Sequence, residues 1–231
     1  MTVAPSVLDC PTCGAPTAFG APFCPYCSAP LTWGDPPRLA RGALLVDKRH
    51  PAAPLAGRAA LKNTPVVETP DGFIVTPNHL GSALAIEDRP RMHDFACVLD
   101  AVAIDRGAII SVLARGYADS GVVGGYAATV CPAFRSVRLV RILEGGMLSE
   151  IQILQNWTPC PQARGLGEPN LIELRVADAI IEVYINGERA LSAVDAALGF
   201  GAVGWRVTSL EGPSRALLRG IAAYEVVTVA R

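Results

Sequence analysis

The chain reads as an all-β protein, a two-sheet antiparallel sandwich preceded by a small metal-binding module, and three observations predict this. From about residue 69 onward, roughly a dozen short runs alternate apolar and polar residues at regular spacing, and no stretch reads as a long helix. In the clearest run, IIEVYI, the residues Ile181, Val183 and Ile185 point to one face while Glu182 and Tyr184 point to the other. Asn186-Gly187 then closes a hairpin, because both residues tolerate the positive φ angles of a type I′ turn, whose twist matches that of the flanking strands. The third observation is two Cys-Pro-x-Cys units near the N-terminus with ten residues between them.

Composition bounds the classes of function. At 231 residues, 51% of them hydrophobic, the chain has room for one large core beside a small module. A formal net charge of -1 gives no global field to attract nucleic acid or an anionic membrane. The N-terminus MTVAPSVLDC has no basic region followed by an apolar one, and no apolar run reaches the length of a membrane span, so a cytoplasmic protein is the expectation. Four closely spaced and three scattered cysteines suit metal ligation plus free thiols in a reducing compartment better than a disulfide framework.

Taken in order, the chain begins with the cysteine module, residues 1–33, in which the heptad CPTCGAP returns as CPYCSAP. The turn between the two cysteines of each unit brings both sulfurs to one side, where amides within the turn can donate to them. Cys10, Cys13, Cys24 and Cys27 therefore form a candidate closed site for one structural Zn²⁺, with rubredoxin-like iron or a redox pair as the alternatives. Four cysteines fill a tetrahedral shell and leave no open position for a catalytic water. A module this short buries too little to fold by itself, so metal binding is expected to supply most of its folding free energy.

Residues 34–68 are rich in Pro, Ala, Gly and Arg, and read as a linker lying across the next domain, with ALLV at residues 43–46 as a candidate edge strand. From Asp35 to Thr64 the bases Arg38, Arg41, Lys48, Arg49, Arg58 and Lys62 outnumber the acids Asp35 and Asp47, which reads as a solvated segment. Residues 69–231 form the sandwich. Candidate strands open at Gly72, Ser82, His93, Ala108, Val122, Phe134 and Leu148, four more lie between Asn170 and Val207, and RALLRGIAAYEVVTV closes the domain. DRPR, DRGA, ADSG, EGG and EGPS supply turns.

The N-terminal module resembles a zinc ribbon. The sandwich, through HDFACVLDAVAI, GYAATV, NLIELRVADAIIEVYINGERAL and GAVGWRV, resembles the concanavalin A-like lectin and glucanase superfamily, and more narrowly its laminin-G-like and keto-disaccharide-hydrolase-like domains. Asn170, Leu174, Val176, Ile181, Val183, Tyr184, Asn186, Gly187, Gly201 and Gly204 carry that likeness over roughly residues 70–229. The resemblance implies a jelly-roll sandwich. It implies little about activity, because these residues are structural.

Catalytic members of that superfamily are similar in carrying E-I-D-x-x-E on one strand, where a nucleophile and an acid/base must lie about 5–5.5 Å apart for retention. Here the strand reads SEIQILQN: Glu150 stands at the nucleophile position, but Gln152 and Gln155 replace the other acids, and a glutamine cannot protonate a leaving group. His50, His79 and His93, the last beside Asp94, are scattered and meet no nucleophile motif. Cys97 reads as a buried apolar residue and Cys131 and Cys160 as free thiols, while Trp205 reads as core. Candidate ligand-binding residues are Trp157, in the long Pro/Gly loop expected at QNWTPCPQARGLGEP, and Tyr117 with Asp119 in the rim loop expected at RGYADSG, and none of these composes a Ca²⁺ site.

The sequence thus points to a non-catalytic binding protein engaging a protein partner, a second copy of itself in a homo-oligomer, or a glycan, with no catalytic residue assigned. A carbohydrate-active protein, lectin or hydrolase, is the second reading. Nucleic-acid contact through the basic segment is a third, and the absence of Lys and Arg from the ribbon counts against it.

Overall fold

The computed structural model describes residues 7–10, 12–18, 24, 26–29, 38–48, 58–59, 65–78, 81–87, 90–119, 122–145 and 148–229. Trp33, His50 and His79 lie outside them, as do the side chains of Asp119 and Glu150. Two short strands, β1 (Val7–Asp9) and β2 (Pro16–Ala18), pair antiparallel across the first cysteine turn.

The remaining strands form two sheets. In chain order they are β3 (Arg38–Lys48), β4 (Arg58–Ala59), β5 (Val66–Thr69), β6 (Gly72–Val75), β7 (Ser82–Ile86), β8 (Phe95–Ala103), β9 (Ala108–Asp119), β10 (Val122–Cys131), β11 (Ser136–Gly145), β12 (Leu148–Pro159), β13 (Pro169–Ala177), β14 (Ile180–Ile185), β15 (Glu188–Val194), β16 (Ala202–Ser209) and β17 (Ala216–Val229). One sheet has seven strands in the order β12-β11-β10-β9-β16-β7-β4. The other has eight, β15-β14-β13-β8-β17-β6-β5, with β3 pairing antiparallel to β17 beyond the end of β6. The architecture is the expected two-sheet antiparallel sandwich.

Period-two alternation produces the core. Leu99, Ile110, Val112, Tyr126, Leu139, Ile172, Leu174, Ile181, Val183 and Trp205 are buried between the sheets. Each apolar side chain removed from water contributes roughly 1.5–3 kcal/mol before chain entropy is charged against it. Cys97 is buried as expected, its thiol donating to the Leu113 and Leu174 carbonyls at 3.4 and 3.5 Å. A second buried cluster, including Leu84, Ile86, Leu113, Val140 and Ile142, occupies the other face of the seven-stranded sheet.

The hairpin turn is realised as predicted, with φ of 53° at Asn186 and 89° at Gly187. The glycines at 201 and 204 are required by close backbone approach: a Cβ on Gly201 would lie 2.3 Å from the Arg115 carbonyl carbon, and one on Gly204 2.6 Å from the Ala85 oxygen. Two local readings change. The strand expected from Phe134 begins at Ser136, because Pro132 starts a 3-10 turn through Phe134.

The stretch read as a linker contributes β3, an eleven-residue strand that includes ALLV. Its beginning is clamped to buried carboxylates. Glu182 accepts from the Leu39 amide at 3.0 Å, from Tyr184 Oη at 3.0 Å and from Arg189 at 3.1 Å, and Glu173 pairs with Arg41 at 3.0 Å. Lys48 at its other end meets Glu87 at 2.5 Å. Two of the bases read as a solvated segment therefore serve the sandwich, paired with acids far away in the chain.

Candidate functional site

The cysteine cluster is built from two copies of one turn. Gly14 N–H donates to the Cys10 carbonyl at 2.8 Å and Ser28 N–H to the Cys24 carbonyl at 2.9 Å. The Thr12 and Tyr26 amides each approach a sulfur, Cys10 Sγ and Cys24 Sγ, at 3.4 Å. Gly14 and Ser28, equivalent in the repeat, share a left-handed φ of 70° and 58°. The four sulfurs lie within 4.8 Å of one another, with Cys10–Cys27 at 3.8 Å and Cys13–Cys24 at 3.7 Å.

A tetrahedron with metal–sulfur bonds of about 2.3 Å has edges of about 3.8 Å, so the donor set fits a Zn²⁺-sized ion. Crowding splits the thiol acidities. Burial raises Cys10, but the Thr12 and Cys13 amides and neighbouring thiols outweigh it and lower it to about 6. The Ala15 amide lowers Cys13, yet its sulfur neighbours, Cys27 foremost, push it up to about 12. Four thiolates cannot coexist there without a cation to offset their repulsion.

The two ends of the sandwich differ. At the end where β9 stops and β16 starts, Arg115 is 2% exposed and adopts φ 50°, at a bulge in β9. Its guanidinium donates to the His93 carbonyl at 2.9 Å, to the carbonyls of Asp178 at 2.7 Å and Leu198 at 2.6 Å, and to Asp94 Oδ1 at 3.3 Å. Nearby, Tyr126 Oη donates to Asp195 Oδ1 at 2.6 Å and accepts from the Leu198 amide at 3.1 Å, while Arg141 grips both Asp195 oxygens. Burial first, then the Asp195 bond, pushes the Tyr126 phenol up to about 12. These groups pin three loops together, and sequence reading missed them because each partner comes from a different loop. His93 is exposed and stacks at 5.6 Å on Phe200, and Asp94 serves Arg115. Tyr117 belongs to this end, lying on β9 over Gly124, and Asp119 closes the same strand.

Trp157 lies at the opposite end. It sits on β12, not in a loop, about seven residues or ~23 Å of strand beyond Glu150, which pairs with Leu143 as Gly124 of the next strand does. The structure therefore does not bring Trp157 together with Tyr117 and Asp119. Trp157 is 36% exposed and the Arg138 guanidinium lies over its ring, 4.6 Å from the centroid. With Ile109, Cys131, Phe134, Ser136, Arg138 and Leu210 it lines a hollow of about 270 Å³.

Phe134, 59% exposed, also lines a second hollow of about 460 Å³ with Arg106, Arg135 and Leu166. The loop carrying Leu166 is held by the signature asparagines. Asn170 Oδ1 accepts from the Arg164 amide at 2.8 Å, and Asn186 Nδ2 donates to the Gln162 carbonyl at 2.7 Å and to Asn170 Oδ1 at 3.1 Å. The residues that identify the fold thus also shape this rim.

Sequence reading found Trp157 and missed Phe134, Arg106, Arg135 and Arg138. Arg138 reaches Trp157 only through the bulged register of β11 with β12, in which Val137 faces Thr158 and Leu139 faces Gln155. Gln152 accepts from Arg141, and Gln155 donates to the Ser192 carbonyl at 3.3 Å, so both glutamines are engaged by neighbours.

No protein-family model matches the chain, and no curated protein matches it either. Solved structures do. A carbohydrate-binding module, CBM66, from Bacillus subtilis aligns with a TM-score of 0.59 at 16% identity, covering 73% of this chain and 96% of that one. A Bacillus subtilis protein with a galectin-like fold aligns at 0.59 and 14% identity, covering 83% and 100%. The transglycosylase Crh5 aligns at 0.52 and 12% identity, covering 83% and 88%. The chain thus has a lectin-like β-sandwich fold that is found both in carbohydrate-binding domains and in glycosidase-like enzymes.

Proposed function

We propose that this chain is a non-catalytic glycan-binding protein, with the Trp157–Phe134 end of the sandwich as its ligand surface and the four-cysteine cluster as a structural Zn²⁺ site. The observation that carries the reading is a pair of exposed aromatic rings beside two adjoining hollows, in a fold shared with a carbohydrate-binding module. Sugar rings present apolar faces that stack on such side chains, and pockets on rigid strand ends hold their ligands at low entropic cost. Gln152 and Gln155, which cannot act as acids, support binding without hydrolysis, as does a lining of the two hollows that holds no carboxylate among the described residues. Four cysteines gathered as metal ligands and three free thiols support a reducing, cytoplasmic setting.

The test is a glycan array probed with the full chain and with Trp157→Ala. Binding by the parent that falls at least tenfold in the variant, about 1.4 kcal/mol, supports the reading. An array silent for both, or hydrolysis of a bound glycan, sinks it. For the metal, elemental analysis should give close to one zinc per chain, and chelation should unfold residues 10–29, because metal binding supplies that module's folding free energy. A chain that keeps the module folded after complete metal removal overturns the structural site.

A further inference from the structure

The rim around Phe134 is more basic than the chain as a whole. Arg106 lies over the Phe134 ring at 5.6 Å, Arg138 lies over Trp157 at 4.6 Å, and Arg135 lines the hollow beside Arg106. Among the described residues none of these three arginines has a carboxylate partner. Acids are within reach of this end all the same, since Arg215 there grips both oxygens of Asp105 at 2.8 and 2.9 Å.

Two further observations set Arg138 and Arg135 apart. Arg138 Nε is buried with no hydrogen-bond partner among the described residues. A buried donor left unmade is costly, and an acceptor from outside the chain would relieve it. The guanidinium is held below its usual pKa, first by burial and then by the charge of Arg206, so an anion would be welcome on both counts. Arg135 holds a left-handed φ of 44°, fixed by its amide donating to the Pro132 carbonyl and its carbonyl accepting from the Cys160 amide at 2.7 Å. This is the left-handed cap that ends the 3-10 turn, and it holds Arg135 at the edge of the hollow beside Arg106.

We propose that this rim selects anionic saccharides, with Arg138 taking an acidic group of one sugar in the hollow beside Trp157, and Arg106 and Arg135 taking that of a neighbouring sugar in the hollow beyond Phe134. The inference rests on the glycan-binding reading and names the class of ligand. Guanidinium forks match planar carboxylates in two-point hydrogen bonds and also accept sulfate esters. The rings of Phe134 and Trp157, each with a guanidinium over it, serve as the walls against which the sugars lie.

The experiment is calorimetric titration of the zinc-loaded full chain with four probes: an oligogalacturonate, the same oligomer fully methyl-esterified, a sulfated galactan oligosaccharide and single-stranded RNA. The oligogalacturonate or the sulfated galactan should bind at least tenfold more tightly than the ester, and the better of the two identifies the acidic group. Arg138→Gln and, independently, Arg106→Ala should each cost the acidic saccharide about tenfold more affinity than they cost the ester. Arg106 is exposed, so its variant remains informative if Arg138→Gln fails to fold.

Equal binding of acid and ester, lost in Trp157→Ala, would overturn the anionic preference and leave glycan binding standing. No binding of any saccharide by folded protein would overturn both. RNA bound more tightly than either acidic sugar would overturn the proposal in favour of a nucleic-acid surface.

Discussion

The two ends of the sandwich use arginine in opposite ways. At one end Arg115 is sealed among three backbone carbonyls and Asp94, all from its own chain. At the other, Arg106, Arg135 and Arg138 stand beside aromatic rings and hollows with no carboxylate of the described residues attached. An arginine whose donors are satisfied internally is a staple that fixes loops. An arginine held in place by a ring or a strand, with a donor still unmet, is suited to a ligand. The difference comes from the loops: those around Arg115 turn their carbonyls inward, whereas the turn at Pro132–Phe134 places a ring outward.

The contrast is testable, beginning with the staple. Arg115→Met should cost roughly 3–5 kcal/mol in urea unfolding, because Asp94 and three carbonyls lose their partner. A loss under 1 kcal/mol would mean that water replaces the guanidinium and that the two ends differ less than their geometry says.

Next is pH. Tyr126 is buried and its phenol is raised from 10.0 to about 12, so the folded state keeps the proton that the unfolded state gives up. The stabilisation is complete below pH 10 and is lost as pH rises through 12, amounting to about 2–3 kcal/mol. Thermal scans between pH 9 and 12 should show the parent falling more steeply than Tyr126→Phe. Parallel curves would remove this phenol from the staple.

The smallest effect is expected at the open end. Arg106→Ala should change unfolding free energy by no more than about 0.5 kcal/mol, since the side chain is exposed and unpaired with any acid of the described residues. A loss above 1 kcal/mol would make Arg106 a second staple and erase the contrast.

Much of the molecule was legible before folding. The Asn186-Gly187 turn, the alternation of IIEVYI, the buried Cys97 and Trp205, and the paired cysteines are all local signals, because turn geometry, strand period and knuckle spacing are each written within a few consecutive residues. β3 was legible only as the short ALLV run, since what holds its beginning is Glu173 and Glu182, far away in the chain. Alternation places Glu182 on the face opposite Ile181 and Val183, and it is fully buried there because β3 covers it. Trp157 was legible as an aromatic in a stretch expected to be a Pro/Gly-rich loop, but it stands on a strand, at the other end of the sandwich from Tyr117.

By itself the sequence determined the sandwich, its principal hairpin and the four-sulfur cluster, because each is encoded by periodicity or by spacing along the chain. Only the tertiary structure decided that Arg115 would be a staple and that Arg106, Arg135 and Arg138 would gather around Phe134 and Trp157. These residues are separated in sequence and meet through strand register, and register depends on the whole sheet rather than on any one segment of it.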